Sequence, residues 1–273
     1  MMFDVLIRDS LIVDGTGNPW FKSDIGVKDG RISGIGRYAS ADAERAIDAA
    51  RLIACPGFID FHSHSDFSIL LAPTADSKVM QGVTTEICGL CGVSAAPVRR
   101  DRLEELNIAA TAVGVSAKLS SEGPTQTYDW STVSNYLDTL GRMGISVNFA
   151  TFVGHANIRV AVMGLDPGPP TRDQMDEMRA LPSESMEDGA FGMSTGLTYA
   201  PCSNASTDEL VELSKVLPRS GGICNTHLRG EKEEVLESLR EAIEIGERSG
   251  AIVHISQNAQ NGGNGRRDVK DHG

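Results

Sequence analysis

The sequence predicts an α/β protein: an incomplete (β/α)8 TIM-like barrel with about six of its eight strands, preceded by a small β-rich domain over residues 1–56. Three observations lead there. Before Pro56, short apolar runs are broken by turn residues, with Asp-Gly pairs at Asp14-Gly15 and Asp29-Gly30. After Pro56 the rhythm becomes strand, loop and helix, repeated, which implies a parallel sheet with right-handed crossovers. No Gly-rich phosphate loop follows the first of these strands, which weakens a doubly wound dinucleotide-binding sheet and favours a barrel over residues 57–273.

In the β-rich part, residues 5–13 form an apolar-rich strand, and apolar runs at 25–27 and 32–35 flank Lys28-Asp29-Gly30. Asp-Gly readily adopts the positive φ of a tight hairpin turn. Residues 52–54 add a short strand. The barrel strands are expected at 58–62, 83–88, 147–153, 191–194, 223–227 and 252–256. Between them, Val133, Tyr136, Leu137, Leu140 and Met143 share one helical face, and Gly144 is placed to end that helix. Ser206-Thr207-Asp208-Glu209 reads as a capping box opening a helix that carries Leu210, Val211, Leu213 and Val216. A further helix, over about 233–248, lines up Val235, Leu236, Leu239 and Ile243 and meets its stop at Gly250. Pro182 and Pro218 interrupt stretches of helical periodicity, where an interior proline costs about 3 kcal/mol or more.

Composition narrows the function. Hydrophobic residues at 40% and charged residues at 23% suit a folded globular chain. A net charge of −12 argues against nucleic acid and against an anionic membrane surface as partners. Apolar runs such as 69–72 are too short to span a bilayer, and the N-terminus lacks the pattern of a secretory signal, so a cytoplasmic location is expected. The five cysteines are odd in number and scattered, which disfavours a disulfide framework. Cys88 and Cys91 have C-x-x-C spacing, but no second ligand pair follows to complete a zinc knuckle.

The segment richest in chemistry is Pro56-Gly57-Phe58-Ile59-Asp60-Phe61-His62-Ser63-His64-Ser65-Asp66. In an extended chain, residues two apart point the same way, so His62 and His64 present two imidazoles together. They follow an apolar strand at its C-terminal end, where barrel enzymes place their active sites. Neutral imidazole is the commonest metal ligand, and this pairing points to metal binding.

This segment resembles the entry motif of the metal-dependent amidohydrolase superfamily, a group of (β/α)8 barrels that bind one or two divalent metals, commonly zinc. Gly82-Val83-Thr84-Thr85, Gly89-Leu90-Cys91-Gly92, Ala96-Pro97, the run Gly189-Ala190-Phe191-Gly192-Met193-Ser194-Thr195-Gly196-Leu197 and Thr226-His227-Leu228-Arg229-Gly230-Glu231 are similar to motifs of its N-acyl-D-amino-acid deacylase (D-aminoacylase) branch. The resemblance implies His62, His64, Cys91 and His227 as Zn2+ ligands, Cys91 being the thiolate of that branch. Zinc accepts this mixture of imidazole and thiolate. Taken alone, Cys91 reads as a small buried hydrophobe, as Cys88 does. His155, in Val153-Gly154-His155-Ala156-Asn157, either lines the substrate pocket or bonds nearby backbone. Arg229 either holds a substrate carboxylate or pairs with Glu231. His254 sits within a strand and reads as structural.

The implied reaction is hydrolysis of the linear amide of an N-acyl-D-amino acid, to a carboxylate and a D-amino acid. Two departures bear on it. Where the branch has a metal-binding His after the sixth strand, this chain has Gln257, a weak ligand for a transition metal. The branch also has a catalytic Asp after the eighth strand, and neither Asp268 nor Asp271 matches it, so the chain reads as a C-terminally truncated member whose activity is in question. The alternatives are a hydantoinase- or dihydropyrimidinase-like cyclic-amide hydrolase, which Cys91 disfavours, and an inactive fragment with a partial metal site. Such a fragment would self-associate, or be completed by another chain, through exposed barrel edges.

Overall fold

The computed structural model describes residues 2–38, 43–115, 130–230 and 232–257. The chain divides into two compact units, Met1–Phe58 and Ile59–Gly273, a boundary two residues beyond the one expected at 56.

The first unit is a five-stranded sheet. β1 (Phe3–Ile12) runs antiparallel to β2 (Phe21–Lys28), which pairs with β3 (Arg31–Gly36). The hairpin between β2 and β3 is the expected one: Asp29 and Gly30 both take positive φ, at 50° and 70°. β4 (Ala43–Asp48), which sequence reading missed, pairs parallel to β1, as does the short β5 (Ile53–Ala54). Its sequence, Ala-Glu-Arg-Ala-Ile-Asp, has too little apolar alternation to announce a strand.

The second unit carries the strand–helix repeat. β6 (Phe58–Asp60) is followed by two short helices, α1 (Ser68–Leu71) and α2 (Asp76–Val79), and then by β7 (Val83–Cys88). α3 (Leu103–Ala112) and α4 (Val133–Met143) precede the predicted 147–153 strand, which splits in two. β8 (Asn148–Thr151) pairs with β7, whereas β9 (Val153–Gly154) pairs with β10 (Gly192–Gly196), so the chain passes from one sheet to the next at Phe152. α5 (His155–Met163) and α6 (Arg172–Glu187) lie between β9 and β10. α7 (Thr207–Ser214), β11 (Ile223–His227), α8 (Val235–Ser249) and β12 (Ile252–Gln257) follow, with β10, β11 and β12 parallel in sequential order.

Alternating strand residues face two different cores. One side buries Met193, Cys224 and Val153 against helix residues such as Tyr136, Met178, Leu210 and Ile245. The other side gathers Ile87, Leu90 and Phe152, with Phe61 and Ile223 against them. Phe61, Phe152 and Phe191 meet edge to face, with centroids 5.6–6.3 Å apart. Parallel strands in sequence order, helices on one face and side chains filling the other are the wall of an incomplete (β/α)8 barrel with an N-terminal β-rich domain. Among the described residues, β6 and β12 have one strand neighbour each, and Phe58, Ile59 and Ile252 on them are exposed.

Three local expectations are corrected. Pro182 lies within α6 without ending it, and Pro218 stands at the start of a 3-10 turn, Leu217–Ser220, where its missing N–H is no loss. Ser206 caps α7 by accepting the N–H of Glu209, but the Glu209 side chain does not return to complete a capping box, because it is drawn inward to His155 and Arg159. The complete box is at Thr171 and Gln174 instead. His254 is exposed rather than a core group, with Nδ1 2.8 Å from the Asn225 amide and its ring against Phe61.

Candidate metal centre

β6 ends at Asp60, two residues sooner than expected, and the chain bends before His62. What orients the two histidines is therefore a local hydrogen-bond frame rather than strand alternation. Asp60 accepts the His62 N–H at 3.1 Å, and the Ser63 N–H bonds to the Ile87 carbonyl at the end of β7. The buried Glu86 carboxylate accepts both Ser63 and Ser65 hydroxyls, at 2.7 and 2.8 Å, and pairs with Lys78. The imidazoles end 5.3 Å apart, centroid to centroid.

Cys91 reaches them from a loop after β7 in which Gly89, Cys91 and Gly92 all take positive φ, at 73°, 52° and 79°. At Cys91 this conformation is strained, since its Cβ is crowded there. Gly92 has no room for a side chain: a Cβ would lie 2.8 Å from Cys202 Sγ and 2.9 Å from the Gly196 nitrogen. The loop is held from outside. The Gly92 N–H donates to Ser194 Oγ, and the first turn of α5 binds Gly92, Ser94 and Pro97.

One donor atom each from His62, His64 and Cys91 lies within 4.8 Å of the other two. Cys91 Sγ is 3.5 Å from His62 Nε2 and 3.6 Å from His227 Nδ1. His227 comes from the end of β11, with Tyr199 edge-on to its ring. All four expected ligands are thus gathered about one thiol. Gln257 pairs with His227 along the β11–β12 ladder, so the sixth-strand position is adjacent to the cluster by backbone register.

The electrostatics suit neutral donors. Burial lowers the His64 pKa to about 4, with the charges of His62 and His227 adding to the effect. His62 is lowered for the same reason, burial first and then His227. Burial pushes the Cys91 thiol up to about 12, with Cys202 and Asp66 contributing. The buried Nδ1 atoms of His62 and His64 have no protein partner. Neutral imidazoles with unpaired nitrogens beside a thiol are a donor set that fits zinc.

The two expected substrate residues are held by protein partners. His155 is fully buried, with Nε2 2.8 Å from Glu209, whose other oxygen takes Arg159 at 2.6 Å. Burial disfavours its charged form, yet Cys202 and Glu209 beside the ring raise its pKa to about 9. Arg229 spends its guanidinium on Glu241 and on the carbonyls of Ser203 and Ala205, at 2.8–3.3 Å. A substrate contact by either residue requires these bonds to open. Glu231, Asp268 and Asp271 lie outside the described residues. Sequence reading missed Glu209, taken as a cap, and Asn157, whose only sequence signal was its place in the His155 motif.

Comparison with known proteins bears on the fold and on the relatives this chain has. Residues 1–56 match the model of the urease alpha-subunit N-terminal domain. D-aminoacylase of Alcaligenes xylosoxydans xylosoxydans is 37% identical over 93% of this chain and 50% of its own length. N-acyl-D-aspartate deacylase of the same organism is 37% identical over 89% of the chain and 47% of its length. Among solved structures, N-acyl-D-glutamate deacylase from Bordetella bronchiseptica, complexed with zinc and a phosphonate inhibitor, superposes with a TM-score of 0.82 at 34% identity, covering 94% of this chain and 52% of that one. L-hydantoinase from Arthrobacter aurescens, at 18% identity and TM-score 0.55, covers 93% of this chain and 52% of its own, and shares the fold alone.

This barrel wall and N-terminal β-rich unit share the fold of solved D-aminoacylase and N-acyl-D-glutamate deacylase structures. By sequence and by fold the chain is similar to N-acyl-D-amino-acid deacylases of the D-aminoacylase group. It spans about half the length of the curated relatives it matches. Among the described residues, no helix is long and apolar enough to cross a membrane.

Proposed function

We propose that this chain carries the metal-holding part of an N-acyl-D-amino-acid amidohydrolase site, with His62, His64 and Cys91 as one donor set and His227 sharing the Cys91 thiol. The observation that carries the reading is the convergence of three donor atoms within 4.8 Å, at the C-terminal ends of successive barrel strands. Zinc bound there supplies Lewis-acid polarisation of an amide carbonyl and lowers the pKa of water toward about 7. The substrate class is that of the relatives, an N-acyl-D-amino acid, split into a carboxylate and a free amine.

The residues present have definite parts to play. Burial keeps His62 and His64 neutral, so their lone pairs are available near pH 7. Cys91 keeps its proton until a cation displaces it, so metal uptake releases a proton from this site. Among the described residues no carboxylate joins the donor group. General acid–base help, typically worth about 10²- to 10⁴-fold, would have to come from a group outside this donor set, and the activity of this chain by itself is in question.

The test is a zinc titration of the purified chain, followed by free-amine release from a panel of N-acetyl-D-amino acids. Zinc bound in proportion to protein, with any turnover abolished by His62→Ala, supports the reading. A chain that takes up no zinc near neutral pH overturns it. A second reading, a non-catalytic metal-holding chain that associates through the edge strands of its described sheets, is favoured by the exposure of Ile59 and Ile252. It predicts zinc uptake without amide cleavage, together with a solution mass above that of one chain.

A further inference from the structure

Cys91 adopts a strained backbone in a loop with two further left-handed residues, so something outside the loop must hold it in place. The first turn of α5 does much of this. The Ala156 N–H donates to the Gly92 carbonyl at 2.8 Å, and the Gly154 N–H donates to Ser94 Oγ at 2.9 Å. Gly154 comes so close that a Cβ there would sit 2.5 Å from the Gly92 oxygen. The side chain of Asn157 does the rest. Its Oδ1 accepts the Ser94 N–H at 2.9 Å, and its Nδ2 donates to the Ser94 carbonyl at 2.9 Å and the Pro97 carbonyl at 3.0 Å. Asn157 is 2% exposed and Ser94 is fully buried, so water does not replace these bonds when they are lost.

We infer that Asn157 is a positioning residue for the metal-binding thiol: its amide fixes the backbone beyond Gly92, which keeps Cys91 in its left-handed turn with Sγ facing His62 and His227. The inference rests on the metal reading above and goes beyond it, because Asn157 touches no donor atom. An amide is the group that fits here. One face must accept a backbone N–H while the other donates to two carbonyls, and only an Asn or Gln side chain offers both. The shorter Asn holds them at the distances seen.

The variant that isolates this role is Asn157→Asp, which keeps the acceptor for Ser94 but removes both donors. Asn157→Ala removes all three bonds. The probe is Co2+ added to the full chain, because a cobalt–thiolate bond gives a sulfur-to-metal charge-transfer band that reports Cys91 directly. Both variants are expected to bind Co2+ roughly 10- to 100-fold more weakly, the range seen when groups supporting a metal ligand are removed, with a weakened thiolate band. A control, Ile245→Ala, lowers the melting temperature from a core position on α8 and is expected to leave affinity and band unchanged. If Asn157→Ala fails to fold, Asn157→Asp and the control still decide the matter. Unaltered affinity and band in Asn157→Asp, or an equal loss in the control, overturns the positioning role while the metal reading stands. No thiolate band in the unmodified chain overturns both.

Discussion

Two half-buried histidines and one fully buried histidine occupy the same α/β unit, all just past the ends of strands, and their electrostatics are opposite. His62 and His64 have lowered pKa values and buried nitrogens without protein partners. His155 is raised to about 9 and is tied through Glu209 to the fully buried Arg159. The first set is polar and unsatisfied, which is a cost to folding unless a ligand completes it. The second finds its counter-charge inside the protein. The contrast lies in charge: a buried carboxylate favours the charged form of His155, whereas burial and neighbouring histidines disfavour it at His62 and His64.

The largest effect is expected from breaking the satisfied set. Glu209→Gln leaves the Arg159 charge buried without its carboxylate, a change that typically costs about 3–5 kcal/mol. Urea denaturation measures it, and a loss under 1 kcal/mol would mean that Arg159 finds other partners. The mirror experiment breaks the unsatisfied set. Cys91→Ser or His64→Ala is expected to weaken zinc binding by at least about 100-fold, beyond the usual effect of supporting residues, and to leave metal-free stability nearly unchanged. Competition with a chelating dye, paired with melting of the metal-free protein, checks both halves.

Acidity separates the two sets further. The folded pKa of His155 stands above the ordinary 6.5, so its contribution to stability is fully present below about pH 6.5 and is lost as pH rises through about 9. The loss is expected to be on the order of 3 kcal/mol across that window. Denaturation at a series of pH values reads it, and His155→Gln should flatten the profile there. A profile equally steep in the variant would assign the dependence to another group.

The smallest effect concerns Arg229. Its pair with Glu241 is partly exposed, at 32% and 14%, so Arg229→Gln is expected to cost about 1 kcal/mol and to change zinc affinity by less than about threefold. A metal affinity that fell as far as in His64→Ala would place Arg229 with the metal set.

Much was legible in the sequence because it depends on neighbours along the chain. The Asp29-Gly30 hairpin, the Gly144 and Gly250 helix ends and the cap at Ser206 all rest on local backbone preferences, and each stands where expected. The strand–helix rhythm follows from local periodicity as well. Spacing also brought His62 and His64 together on the page, although the strand stops at Asp60 and a frame from Asp60, Ile87 and Glu86 does the aligning.

What the sequence by itself determined, then, is the alternation of elements, the location of the β-rich unit and the resemblance that drew His62, His64, Cys91 and His227 into one set. Tertiary structure alone decided which polar groups are already paired. Glu209 looked like a helix cap, but a buried cation 50 residues away claims its carboxylate. Arg229 was open to a substrate carboxylate or to Glu231, but Glu241 and two carbonyls take it. Asn157 carried no visible role until the loop 63 residues before it was seen to need three hydrogen bonds. The reason is physical: hydrogen bonds and charges are satisfied through space, in a low-dielectric interior where an unpaired group is costly, and separation along the chain does not record which groups will meet.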